Sequence, residues 1–190
     1  MTSSTIPATF KQVIEELAAN SELVNEAQID DLVKAILAAK RLFISGAGRS
    51  GFVARAFSNR LMHLGFTVYF VGEPTTPSIG AGDLIVIGSG SGGTKGPVSQ
   101  AQTAQRVGAA VALVTYTPDS AIGQIAETII CLPQNTGKYT VNGQVKESVQ
   151  PLGNAFEQMS WMVYDATVSK LKTVTGQSQE KMNALHANME

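Results

Sequence analysis

The chain has 190 residues, 44% hydrophobic and 15% charged, with 14 basic and 15 acidic side chains and a formal net charge of −1. That length suits one domain with a sizeable core, and the charge is too low for a disordered chain. The near-neutral balance excludes a broad electrostatic footprint for nucleic acid or an anionic membrane, and a lone cysteine, Cys131, excludes an internal disulfide.

Phe10, Val13, Ile14 and Leu17 recur at helical spacing, as do Ile29, Leu32, Val33, Ile36 and Leu37, so two amphipathic helices are expected over about 8–39. An α/β core follows over about 41–133. RLFIS (41–45) reads as a short strand, and GFVARAFSNRLMHLG (51–65) as a helix with Phe52, Ala56 and Leu64 among its apolar positions. TVYFVG (67–72) is the second strand, and DLIVIGSGSGGT (83–94) is a third strand with a glycine-rich turn. PVSQAQTAQRVG (97–108) is a helix with Pro97 in its first turn and Gly108 at its end. AAVALVTY (109–116) and TIICLP (128–133) are strands four and five, joined by a short helix over 120–127 that Ser120 caps. Cys131 is expected to be a buried strand thiol.

The polar stretch 134–150 reads as a 17-residue loop, long enough for function or mobility. Helices are expected over 152–172 and 178–190. The first is apolar on more than one face through Met159, Trp161, Met162, Val163 and Tyr164, which favours contact with a second subunit. No segment has a signal-peptide pattern, and no run approaches the ~20 apolar residues of a membrane span, so a cytoplasmic protein is expected. Strands apolar on both faces predict a five-stranded parallel sheet with helices on both faces; for such a doubly wound sheet the flavodoxin-like order 2-1-3-4-5 is expected.

FISGAGRSG (43–51) carries G-x-G-x-x-G at Gly46, Gly48 and Gly51. That is the pattern of a dinucleotide-binding turn, and Glu73, 22 residues after Gly51, stands where a ribose-binding acid belongs. Against an NAD(P) or flavin oxidoreductase, only about 60 residues follow strand five, too few for a substrate domain. Arg49 and Ser50 also put a cation and a hydroxyl inside the turn, which suits a small anion. The second turn, GSGSGGT (88–94), offers the hydroxyls of Ser89, Ser91 and Thr94, with Lys95 next. In the expected sheet both turns lie at the switch point, where helix N-termini and glycine backbone can cradle a phosphate. Ser45, Gly46, Gly48, Arg49, Ser50, Ser89, Ser91 and Thr94 are therefore the candidate phosphate-binding residues.

The two turns are similar to the signature loops of SIS (sugar isomerase) domains. The wider segments GAGRSGFVARAFSNRLMHLGFTVYFVGEPTTPSIGAGDLIVIGSGSGGTK, QPLGNAFEQ and the ending LHANME resemble the 6-phospho-3-hexuloisomerase family over about residues 10–190. The resemblance implies a SIS-type sandwich and a homo-oligomer, typically a tetramer, that needs no metal or other cofactor. It implies interconversion of D-arabino-hex-3-ulose 6-phosphate and fructose 6-phosphate in the ribulose monophosphate pathway, in formaldehyde fixation or pentose supply. One departure is Gly93, where the family usually has glutamate.

Moving the carbonyl from C3 to C2 needs a base and an enediol. On the residues alone, Glu157 reads as a first-turn glutamate complementing the helix dipole. The resemblance points to it as the base, with its neighbours Phe156, Met159 and Trp161 partly desolvating it. His186 matches the family's ending and is the second catalytic candidate, as an acid–base group or in ring opening, with a neighbouring subunit's site in reach. His63 reads as a partly buried structural histidine. Two histidines far apart in sequence, without clustered acids, give no metal-ligand pattern. Alternatives are a non-catalytic sugar-phosphate-sensing SIS module and an isomerase of another sugar phosphate. The sensing reading is disfavoured because no basic recognition helix precedes residue 40.

Overall fold

The computed structural model describes residues 7–134 and 136–189. Strands β1 (Leu42–Gly46), β2 (Val68–Phe70), β3 (Leu84–Gly88), β4 (Ala110–Thr115) and β5 (Thr128–Cys131) form one parallel sheet in the order β2-β1-β3-β4-β5, as expected. The register sets Gly46 beside Gly88, so β1 and β3 end level and their turns leave the sheet side by side.

The strands are apolar on both sides because both sides are covered. Successive residues alternate between faces. Leu42, Ile44, Leu84, Val86, Ala112 and Val114 face one layer, while Phe43, Ile85, Ile87, Val111 and Leu113 face the other. The first layer is thick. Helices α2 (Glu26–Ala38), α3 (Gly48–His63) and α5 (Asn154–Thr175) bury Leu32, Ile36, Phe57, Leu61, Phe156 and Leu171 there. The second layer is thin, with α4 (Lys95–Arg106) placing the small residues Ala101 and Ala104 against the sheet. Among the described residues, no helix is long and apolar enough to cross a membrane.

Several elements differ from expectation. Helix α1 (Ala8–Ser21) forms, but Phe10 and Ile14 of its apolar stripe are exposed, and the residue it buries is Glu16. Glu16 Oε2 accepts from Ser148 Oγ at 2.7 Å and from Gln150 Nε2 at 2.9 Å, which satisfies the buried carboxylate. Its partners follow a hairpin, β6 (Lys138–Val141) and β7 (Gln144–Glu147), where a polar loop was expected. Asn142 and Gly143 turn the hairpin with φ of 50° and 74°, the two left-handed residues of a type I′ turn. The Asn-Gly pair is a legible hairpin signal that the loop reading passed over.

The segment 120–127 is a series of turns rather than a helix. Its backbone is committed elsewhere: Ile122 N donates to Gly92 O at 3.1 Å, and at Gly123 the chain passes so close to Pro118 O that a Cβ would clash at 1.7 Å. The C-terminal helix α6 spans only Gln179–Ala184, short of the expected 178–190. Strand β2 is shorter than 67–72, while α3 starts earlier than read, inside the first glycine-rich turn, and α4 starts at Lys95, directly after the second. Cys131 is partly exposed, not buried, with its backbone N–H donating to Gln28 Oε1 at 3.0 Å. Helix α5 buries one face through Phe156, Met159, Val163 and Tyr164 and leaves Trp161 and Met162 about half exposed.

Candidate functional site

Each glycine of G-x-G-x-x-G has its own physical reason. A Cβ on Gly46 would meet the Gly51 backbone at 3.0 Å, and a Cβ on Gly51 would meet Gly46 O at 2.8 Å, so strand and helix touch through bare backbone. Gly48 has φ +56°, which favours glycine. The turn thus opens directly into α3, whose N-cap Ala47 supplies no side-chain cap. Helix α4 likewise starts after Thr94 with no side-chain cap. Two helix N-termini, each carrying uncapped N–H groups and the positive end of a dipole, follow the adjacent strands β1 and β3.

Helix α5 brings Glu157 to the first turn. Its Oε2 accepts from Arg49 Nε at 3.0 Å, and its Oε1 accepts from Ser50 Oγ at 3.4 Å. The Glu157 side chain is 13% exposed, and that of Arg49 is 63% exposed. The carboxylate thus meets a cation and a hydroxyl in addition to apolar neighbours, of which Trp161 lines the same cavity as Glu157. Phe156 and Met159 point into the core. A cavity of about 420 Å³ lies against this pair, walled by Leu17, Phe52, Gln158, Trp161 and Met162.

Ser45 sits beneath the turn, buried, and its hydroxyl donates to Gln100 Oε1 of α4. Sequence reading missed Gln100, because only the crossover packing brings α4 back over β1. Ser89 is buried at the root of the second turn. Ser91 is exposed, and its Oγ accepts from Gly93 N at 3.3 Å; Thr94 is exposed. The turn is propped from β4: Thr115 Oγ1 donates to Gly90 O at 2.7 Å, and the Tyr116 ring fills the space where a Cβ on Gly90 would stand. Gly93 has open space and ordinary backbone, so nothing steric demands glycine there.

Under both turns lies Tyr164. Its hydroxyl is buried without a hydrogen-bond partner and sits 2.9 Å from where a Cβ on Gly88 would stand. Burial pushes this phenol far above its ordinary range. Glu73, the acid of the dinucleotide pattern, is instead ion-paired with Arg55.

His186 does not join this group. Its ring stacks on that of His63, centroids 3.9 Å apart and planes at 11°. The two rings line a second cavity of about 330 Å³ with Asn59, Arg60 and Asp165. Val53 and Trp161 border both cavities, so they are neighbours. The two histidines, far apart in sequence, are thus adjacent in space. Among the described residues no group of three His, Cys, Asp or Glu side chains could hold a metal.

Comparison with known proteins agrees with this fold. The SIS domain family model matches residues 35–152. The chain is 40% identical over 179 residues to 3-hexulose-6-phosphate isomerase of Bacillus subtilis, covering 94% of this chain and 96% of that one. It is 39% identical over 178 residues to the Mycobacterium gastri 3-hexulose-6-phosphate isomerase, covering 94% and 88%. The crystal structure of a hypothetical protein from Methanococcus jannaschii, which infers a molecular function of 3-hexulose-6-phosphate isomerase, superimposes with a TM-score of 0.76 at 29% identity, covering 96% and 97%. A matched model over more than half of the chain, and relatives this similar along nearly all of it, show that the chain belongs to the SIS domain family, among the 3-hexulose-6-phosphate isomerases.

Proposed function

We propose that this chain is an isomerase interconverting D-arabino-hex-3-ulose 6-phosphate and fructose 6-phosphate through an enediol, in the ribulose monophosphate pathway. The observation that carries the reading is the Arg49–Glu157 pair, set on the first turns of α3 and α5 beside two uncapped helix N-termini. The likeness to the Bacillus and Mycobacterium enzymes supports the substrate.

The substrate phosphate binds the N–H groups at the starts of α3 and α4, with Gly46, Gly48 and Ser50 on one side and Ser89, Ser91 and Thr94 on the other. Ser45, held by Gln100, supports the first turn from below. Arg49 exchanges Glu157 for substrate oxygens as the sugar enters. The freed carboxylate takes the proton from C2. The C–H electron pair becomes the C2–C3 double bond, and the C3 carbonyl oxygen becomes the enediol oxygen, which Arg49 and a proton donor stabilise. The proton returns to C3 while O2 loses its own, leaving the carbonyl at C2. His186 serves the proton transfers at oxygen and ring opening from the neighbouring cavity, in its own subunit's site or that of a neighbouring copy.

Assembly with further copies of this chain, as a tetramer, is part of the same reading. Phe52, Trp161 and Met162 are exposed around Glu157, and Phe10 and Ile14 on α1, which supports burial of this face in a homo-oligomer. A phosphorylated substrate supports a cytoplasmic location.

The test is an isomerase assay on the purified chain. Hexulose 6-phosphate is generated in place from formaldehyde and ribulose 5-phosphate by a separate synthase. Fructose 6-phosphate formation that depends on this chain is the expected result. No product, with fructose 6-phosphate still binding, would overturn this reaction and leave a sensing module or an isomerase of another sugar phosphate.

A further inference from the structure

Helix α6 ends at Ala184, and residues 185–189 have no helix or strand of their own. The backbone bonds of Leu185 and His186 are local, to Met182 O and Asn183 O. The contact that carries this segment onto the body is the ring stack of His186 on His63. His63 is 4% exposed, on the last turn of α3, and its Nδ1 is buried with no hydrogen-bond partner. Its ring is therefore placed by packing, and it offers the His186 ring a flat apolar face.

Two charged side chains border the stack. Arg60 of α3 and Asp165 of α5 line the cavity with the two rings, and Asp165 Oδ2 accepts from Trp161 Nε1 at 3.1 Å. Desolvation, then His186 and Arg60, hold the His63 imidazole below its ordinary range. The His63 ring thus favours its neutral form, which stacks on the His186 ring without adding a charge beside Arg60.

We propose that His63 is a positioning residue for His186, holding the segment 185–189 over the cavity between α3 and α5 by the ring stack. The contact itself is independent of the catalytic reading; its effect on turnover rests on that reading of His186.

The chain has two histidines, so its imidazole NMR signals are two and directly separable. At about pH 8 the rings should show a mutual Overhauser contact, with the His186 signals as broad as those of the body. His63→Phe keeps a stacking ring, so His186 should stay broad. His63→Ala should leave His186 narrow while the amide spectrum stays folded, and lower kcat on the order of 10²-fold with KM unchanged, as loss of placement does. Equal His186 line widths in the unmodified chain and His63→Ala overturn the proposal. A mobile His186 in His63→Ala with unchanged kcat keeps the holding contact and overturns the catalytic reading of His186 instead.

Discussion

Arg49 Nε donates to Glu157 Oε2 at 3.0 Å, joining the first turn of α3 to the first turn of α5 across 108 residues of sequence. The pair closes one side of the glycine turn, and Ser50 on the same turn donates to the other carboxylate oxygen. A cation and an acid so placed have two uses in a carbonyl shift: one removes a proton, and the other meets the charge that removal creates.

If Glu157 is the base, Glu157→Gln should cut kcat by roughly 10²–10⁴-fold with little change in KM, the usual contribution of a positioned acid–base group. Glutamine retains an acceptor for Arg49, so the fold is expected to persist. Steady-state kinetics and a thermal melt check both halves.

If the second turn holds phosphate, the double change Ser91→Ala and Thr94→Ala should mainly raise KM for the sugar phosphate. Both side chains are exposed, and neither supports the core, so the melting temperature should not move. An unchanged KM would leave a turn without a ligand role.

Neighbouring glycines should respond in opposite ways. Gly92 has φ +56°, and a Cβ there would lie 1.8 Å from Ser120 Oγ. Gly92→Ala should cost about 1–3 kcal/mol for the left-handed backbone and a similar amount for overpacking. Gly93→Glu adds a Cβ that meets only Ser91 at ordinary contact distance, and should change stability by no more than about 0.5 kcal/mol. Denaturant melts of the two variants separate these outcomes.

Asp83 should make stability acid-sensitive. Its buried carboxylate accepts from Arg41 at 2.6 and 3.0 Å and from Gly80 N at 2.8 Å. Arg41 and, more weakly, the Gly80 N–H hold this carboxyl below its ordinary value of 3.8, against the opposing effect of burial. A carboxyl lowered on folding stabilises above its unfolded value and loses that contribution as pH falls through the folded one. The melting temperature should therefore drop below about pH 4, and Asp83→Asn should be less stable near neutrality with a shallower decline in acid. A parallel decline in both chains would sink this assignment.

Glu16→Ala should loosen the hairpin. It leaves Ser148 and Gln150 without their acceptor, at about 1–3 kcal/mol, and exposes residues 138–150 to proteolysis before the rest of the fold. Limited digestion, read by mass, tests this directly.

Much of the sheet was legible because its signals are local. The five apolar runs carry their own pattern, and the glycine turns name the points where backbone must pass backbone, as at Gly46 and Gly51, where a Cβ on Gly46 would lie 3.0 Å from the Gly51 backbone. The hairpin was legible too, in Asn142-Gly143, but the polar composition around it concealed that turn. The segment 120–127 misled because its helical pattern competes with a distant need: the second turn takes the N–H of Ile122 for Gly92 O.

By itself the sequence determined the five strands, the two glycine turns and the family, since each rests on periodicity, turn chemistry or matched residues. Only the tertiary structure decided which face of α1 is buried, that β1 and β3 end side by side, that Arg49 and Ser50 meet Glu157, and that His63 and His186 stack. Those outcomes depend on how helices distant in sequence lie across one another, and the spacing of residues along a single helix carries no record of its neighbour.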